Sequence, residues 1–299
     1  MSLLVVGTTA LDSIKTPYAE NPRLLGGSAS HAAVAASFFA PTHLVGAVGE
    51  DFPRKYINLY RRHGLCLEGL DQLPGQTFHW SGEYEVNMNN RRTLDTVLGV
   101  IENYSPTLPA AYTRLPYLLL ANIAPDLQGH VLSQMKRPKF VVADTMDLWL
   151  NIARPAVLKL LKRIDCLVLN DSEAAQLVEE DNIVAALPRI HKLGPKYVIV
   201  KKGEHGAILS GPKGLFVAPA YPLKKVVDPT GAGDSFVGGL MGYLASQKGS
   251  LDKNLRAAII HGTVTASYCC EDFGLKKTTK VKKTDISKRV RELTKMVSW

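Results

Sequence analysis

Asp228-Pro-Thr-Gly-Ala-Gly-Asp234, followed by Ser235-Phe-Val-Gly-Gly-Leu-Met-Gly242, is the stretch from which the rest of the chain is best read. Residues 224–227 read as a strand end, and Pro229, which has no N–H to give a ladder, breaks it. After Asp234 the apolar residues Phe236, Val237, Leu240, Met241 and Leu244 follow helical spacing. Gly231, Ala232 and Gly233 therefore stand at a helix N-terminus, where free N–H groups and the helix dipole favour an anion. Asp234, in the first turn, could take a proton from a hydroxyl held beside that anion. A tight turn with Asp234 as a cap is the plainer alternative, and this stretch alone leaves both open. Gly238, Gly239 and Gly242 add weight to a special role. Each glycine in a helix interior costs about 1 kcal/mol relative to alanine, so three in one helix imply close approach by another backbone or a ligand.

Outward from this stretch, short apolar runs alternate with helical ones. Strands are expected at 3–6, 44–48, 118–121, 140–143, 166–169 and 197–200, and helices at 30–39, 53–62, 126–135, 155–162 and 172–179. Apolar strands without alternation, each followed by a helix, imply a parallel sheet buried on both faces, with ligands gathering at the strands' carboxyl ends. One segment differs. Across 77–88, Phe78, Trp80, Tyr84, Val86 and Met88 share one parity, while Thr77, His79, Ser81, Glu83, Glu85 and Asn87 share the other. That is a strand with one apolar face; Asn89-Asn90 then offers a turn and 93–100 a return strand. Such a hairpin is either a lid or an extra edge packed on the same domain.

The chain has 299 residues, 46% hydrophobic and 21% charged, which excludes disorder over most of its length. No apolar run reaches the roughly 18 residues of a membrane span, and the N-terminus lacks a basic leader segment. Cys66, Cys166, Cys269 and Cys270 show no zinc spacing and read as reduced thiols, pointing to the cytoplasm. Of the net charge of +9, residues 276–299 supply +7. In that tail Ile286, Val290, Leu293 and Val297 share one helical face, so the charge reads as the solvated side of a docked helix. Attraction of a polyanionic ligand or nucleic acid is the alternative. No GxxxxGK[ST] is present, position 236 is Phe where a GxGxxG would need glycine, and protein-kinase signatures are missing.

The stretch 228–234 resembles the C-terminal signature of the ribokinase-like carbohydrate kinases, the PfkB family. Further positions agree in the family's order. Asp12 resembles its early substrate-holding aspartate, and Gly26-Gly27 before an Ala-rich helix its N-terminal signature. Asn170-Asp-Ser-Glu173 is similar to its Asn-x-x-Glu motif, Lys202-Gly203-Glu-His-Gly206 to its nucleotide loop, and 262–274 to its late helix and turn. The resemblance implies one domain over 1–299: a three-layer α/β/α sandwich with a mostly parallel sheet, and a small β lid from insertions at about 12–25 and 75–102.

By that resemblance Asp234 is the catalytic base, and Gly231, Ala232 and Gly233 form the anion hole. Asp12, Gly26, Gly27, His31 and Asp144 fall to the substrate; Asn170, Lys201, Gly203, Gly206, Thr230 and Thr263 fall to the nucleotide. Glu173 would act on magnesium through water, and Asp228 is the candidate for a monovalent cation such as potassium. Three positions depart or compete. His31 stands where the family usually has Asn, which puts hydroxyl recognition in doubt. Lys201 stands where it often has Thr, facing either a phosphate or solvent. Asp147 competes with Asp144. The implied reaction is ATP-dependent phosphorylation of a hydroxymethyl group on a nucleoside or sugar. It leans to a nucleoside, because Cys270-Glu271 with Gly274 resembles the ending of nucleoside-type members and Phe78, Trp80 and Tyr84 offer a stacking face. A free-sugar kinase (ribose, fructose or ketodeoxygluconate type) and a silent nucleotide- or sugar-binding sensor are the alternatives. The lid could also serve as a homodimer clasp.

Overall fold

The computed structural model describes residues 1–88 and 90–298. In chain order its strands are β1 (Leu3–Val6), β2 (Ala10–Lys15), β3 (Glu20–Gly26), β4 (Thr42–Val48), β5 (Cys66–Gln72), β6 (His79–Tyr84), β7 (Arg91–Val97), β8 (Tyr117–Leu120), β9 (Phe140–Asp144), β10 (Cys166–Asn170), β11 (Tyr197–Lys201), β12 (Ala207–Gly211) and β13 (Gly214–Ala218). The helices are α1 (Ser28–Ser37), α2 (Arg54–Arg62), α3 (Pro125–Gln134), α4 (Asp147–Ile152), α5 (Arg154–Leu161), α6 (Asp171–Val178), α7 (Ile183–His191), α8 (Ala232–Ser246), α9 (Leu251–Cys269) and α10 (Lys283–Val297).

Nine strands form one sheet in the order β13-β12-β11-β10-β9-β8-β1-β4-β5. All neighbours from β11 through β5 run parallel; β12 and β13 close the far edge as an antiparallel meander. The sequence of β1 shows why both faces are covered. Leu3 and Val5 point into a core shared with α1, α8 and α9, while Leu4 and Val6 point into a second core with α3, α5, α6 and α7. All four are fully buried, as a period-two strand between two helical layers must be. The six strands and five helices expected from apolar runs are all present, most of them within one or two residues of their expected ends.

A second sheet, β3-β2-β6-β7, forms the lid. Here the expectations need correction. The strand anticipated over 77–88 ends at Tyr84, because the backbone turns there: the Met88 N–H reaches the Glu85 carbonyl at 2.9 Å and Met88 adopts φ 57°. Val86 is consequently thrown into solvent at 84% exposure, although its parity matched the apolar face. The return strand is Arg91–Val97 rather than 93–100, since Gly99–Ile101 winds into a short 3₁₀ turn. Asn89, half of the anticipated Asn89-Asn90 turn, lies outside the described residues. Residues 224–227 are no strand; the Val227 N–H pairs instead with the Cys270 carbonyl at 2.8 Å.

The glycine-rich helix α8 is wedged between α1 and α9. A side chain on Gly238 would run into the Ala32 backbone, one on Gly242 would meet the Ala36 carbonyl at 2.6 Å, and one on Gly239 would meet the Thr265 hydroxyl at 2.6 Å. The close approach expected of these glycines is therefore made by neighbouring helices. The basic tail docks as expected: Ile286 and Leu293 of α10 are buried against Phe38, Val264 and Tyr268. Arg289 lies 3.6 Å over the Tyr268 ring and donates to Glu271 at 2.7 Å. Val297, placed on the same face by spacing, is 43% exposed at the end of the helix.

Candidate active site

The site is assembled at the carboxyl ends of β1, β9, β10 and β11, where α8 begins. Gly231 is the residue before that helix and takes φ 77°, a left-handed conformation that favours glycine. The His31 ring lies directly against it, in the space a side chain there would need. The Ala232 N–H is taken by the Pro229 carbonyl at 3.1 Å. Among the described residues no hydrogen bond uses the N–H of Gly231 or Gly233, so these two amides and the α8 dipole remain for an anion.

Asp234 sits in the first turn of α8. Burial and the nearby Asp144 push its carboxyl up to about 6, against the opposing charges of Lys201 and Arg91. Lys201, at the end of β11, places Nζ 3.2 Å from where a Gly233 side chain would begin and 3.0 Å from both oxygens of Asp144, at the end of β9. Burial works against the Lys201 ammonium, but Asp144 and then Glu173 outweigh it and hold its pKa above the ordinary lysine value. Asp144 is thus a partner of Lys201, whereas its competitor Asp147 begins α4.

Asn170 caps α6: its Oδ1 accepts from the Glu173 N–H at 2.8 Å, and Glu173 Oε2 accepts from the Asn170 N–H at 2.7 Å. This capping box is the structural alternative that attaches to Asn-x-x-Glu, yet it occupies only one Glu173 oxygen. Burial pushes the Glu173 carboxyl up to about 7, with Lys201 pulling it down and Asp144 adding to the rise. A buried carboxylate with one oxygen free of protein partners fits a hydrated magnesium ion. Asp228 is fully buried, and its two oxygens accept from the Thr230 N–H and the Gly274 N–H, each at 2.9 Å. It ties the anion loop to the turn after α9, and potassium finds no support in this arrangement.

Asp12, on the lid strand β2, is 5% exposed. Its Oδ2 accepts from the Gly27 N–H at 3.2 Å, while Oδ1 is buried with no partner. Burial, with the charges of Asp228 and Asp234, lifts it to about 7. Gly26 lies against its carboxylate, so a larger residue there would displace it. His31 is buried, its pKa lowered by burial to about 4, and its Nε2 also lacks a partner. On the nucleotide side, Gly203–His205 forms a tight 3₁₀ turn after β11, closed by the Lys202 N–H to the Gly206 carbonyl at 2.8 Å. Thr263 lies buried in α9.

One residue and one contact escape sequence reasoning. Arg91, on lid strand β7, lowers the pKa of Asp234 although 143 positions separate them in the chain. Tyr84 meets Thr230, as described below. Of the lid aromatics, Tyr84 packs with Ile14, Met88 and Phe273, and Trp80 borders the same cluster while its ring folds over Gly82 of its own strand.

With this geometry in place, the match of residues 19–281 to the profile of the pfkB family carbohydrate kinases covers every group just described except Asp12. The chain belongs to the PfkB family of carbohydrate kinases. The cytidine kinase of Thermococcus kodakarensis is 28% identical over 252 residues, covering 81% of this kinase and 88% of that one. The ribokinase of Arabidopsis thaliana is 28% identical over 267 residues, covering 83% and 67%. Among solved structures, the nucleoside kinase of Methanocaldococcus jannaschii superposes with a TM-score of 0.77 at 20% identity, over 97% of this chain and 98% of that one. The Arabidopsis thaliana ribokinase complexed with ribose and ATP gives a TM-score of 0.76 at 21% identity, over 97% and 98%. These likenesses establish the ribokinase fold, with the lid as its separate small sheet. The enzyme is a sugar or nucleoside kinase, a phosphotransferase acting on an alcohol group. Among the described residues, no helix is long and apolar enough to cross a membrane.

Proposed function

We propose that this kinase phosphorylates the 5′-hydroxymethyl group of a nucleoside, using ATP. The observation that carries the reading is the likeness to a cytidine kinase along 81% of the chain, joined to a cluster of groups at the start of α8 suited to phosphoryl transfer. Asp234 takes the proton from the hydroxyl as it attacks the γ-phosphorus. The Gly231 and Gly233 amides, with the α8 dipole, stabilise the charge on the phosphoryl group in transit. Lys201, fixed by Asp144, adds a cation at the same place. Asp12 Oδ1 holds a ring hydroxyl of the acceptor. Its unpaired state in a buried position is what a substrate hydroxyl would relieve. Glu173, oriented by its capping box with Asn170, would hold hydrated magnesium, which screens the phosphate charge when bound with ATP. Lid closure removes water that would otherwise compete as acceptor.

Ribokinase relatives support a free-sugar acceptor as the second reading. ADP release from ATP and magnesium, measured against cytidine, inosine, adenosine, ribose and fructose, separates the two. Turnover with a nucleoside supports the proposal; turnover confined to ribose or fructose replaces it with the second reading. ATP binding without turnover on any compound would favour the sensor.

A further inference from the structure

Thr230 immediately precedes the anion hole, and each of its polar groups is held from a different part of the fold. Its N–H donates to Asp228 Oδ1 at 2.9 Å, within the loop. Its carbonyl accepts from Cys269 Sγ at 3.2 Å, at the end of α9, where the same sulfur lies 3.6 Å from His31 Nδ1. Its hydroxyl donates to the phenol oxygen of Tyr84 at 3.1 Å and also lies within reach of the Asp228 carboxylate. The first two partners belong to the core. Tyr84 belongs to β6, in the small sheet, so the third bond is present only while the lid is seated.

The seat is apolar. Tyr84 packs with Ile14 of β2, Met88 and Phe273, and Val226 and Val227 border the cluster from the segment leading into the catalytic loop. Burial pushes the phenol up to about 12, and its neutral oxygen accepts the hydrogen bond from the Thr230 hydroxyl. One residue beyond Thr230 the chain enters the left-handed turn at Gly231, which has the His31 ring behind it. A shift at Thr230 therefore passes straight to the Gly231 amide.

We infer that Tyr84 is a positioning residue for phosphoryl transfer: through its bond to Thr230 the seated lid sets the anion-hole amides, so the hole reaches its working geometry only when the acceptor is enclosed. This inference rests on the kinase reading. It gives the lid a task beyond excluding water, and it ties the rate of the chemical step to lid closure.

The test uses the full-length Tyr84→Phe variant, which keeps the ring and its packing and removes the hydroxyl. The probes are ATP with cytidine, or with ribose if the wild type turns over only the sugar. The expected result is a five- to twentyfold fall in kcat, with KM for both substrates, ADP affinity by calorimetry and Tm unchanged. Thr230→Val should lower kcat at least as much, because it also removes the hydroxyl's contact with Asp228, and the double variant should be no slower than Thr230→Val alone, because both remove the bond to Tyr84. Wild-type kcat in Tyr84→Phe overturns the inference. So do independent, multiplying losses in the double variant, or a fall in kcat accompanied by weakened ADP binding or a lower Tm, which would mark a packing role. A wild type that binds ATP yet phosphorylates none of cytidine, inosine, adenosine, ribose and fructose overturns the proposed function before any variant is compared, and this inference with it.

Discussion

Lys201 Nζ stands 3.0 Å from each oxygen of Asp144, equidistant between them, while resting against Gly233. Asp144 ends β9 and Lys201 ends β11, on either side of β10 in one parallel sheet, and the pair reaches across β10 toward the start of α8. A fixed cation beside an anion hole is already oriented when phosphoryl charge develops, and needs no reorganisation at that moment.

Lys201→Met is therefore expected to lower kcat by about 10²–10³-fold, the range found when one oriented charge-stabilising group is removed. The ammonium also lowers the pKa of Asp234. Its loss should move the acid limb of the rate profile to higher pH, which pH-dependent kcat/KM measurements would register. An unmoved limb with full activity would show that Lys201 only fills space.

Asp234→Asn should reduce kcat by about 10²–10⁴-fold, as expected for a general base, with ATP affinity by calorimetry nearly unchanged. In the wild type the base must be ionised, and its carboxyl is lifted to about 6. The rate should accordingly rise with pH through that region. Activity that is flat from pH 5 to 8 would contradict the assignment.

Asp12 predicts a pH-dependent stability effect. Its folded-state pKa of about 7 lies above the ordinary aspartate value of 3.8, so the folded protein holds a proton that the unfolded chain has released. Stability from this group is therefore full below the unfolded value, declines as pH rises from about 4 to 7, and stays low above that. Asp12→Asn, neutral at every pH, should raise Tm at pH 8 and leave it nearly unchanged at pH 4, while abolishing acceptor binding. Thermal melts at the two pH values check the sign; equal shifts at both would refute it.

Gly238→Ala tests the wedge of α8 against α1. Alanine favours helix by about 1 kcal/mol, but its methyl would enter the Ala32 backbone. Overpacking of this kind typically costs about 1–3 kcal/mol, so net destabilisation is expected in denaturant titrations. A stabilised variant would mean that the two helices separate easily.

Much of the sheet was legible because parallel strands buried on both faces carry uninterrupted apolar runs, as 3–6 and 166–169 do. Of the strands that went unread, β5 and β13 are the two edges of the sheet with mixed composition, and β12, though interior and largely buried, has an apolar run of only three residues before Ser210-Gly211. Tyr84 and Val86 share parity but not environment, because periodicity describes a strand only while the strand continues, and a turn at 85–88 ended it. Gly231, Gly233 and Asp234 at the start of α8 could be read locally, since a loop entering a helix is built from adjacent residues.

What the sequence by itself determined was this local grammar: where the apolar strands run, where α8 starts, and which residue types stand at its first turn. The tertiary structure alone decided which distant groups converge there. Lys201 and Asp144 are 57 positions apart, Thr230 and Tyr84 146, and Cys269 and His31 238. No spacing rule spans such separations. Those meetings follow from the order in which strands join the sheet and from how closely α8 fits between its neighbours, and both are set by packing of the whole chain.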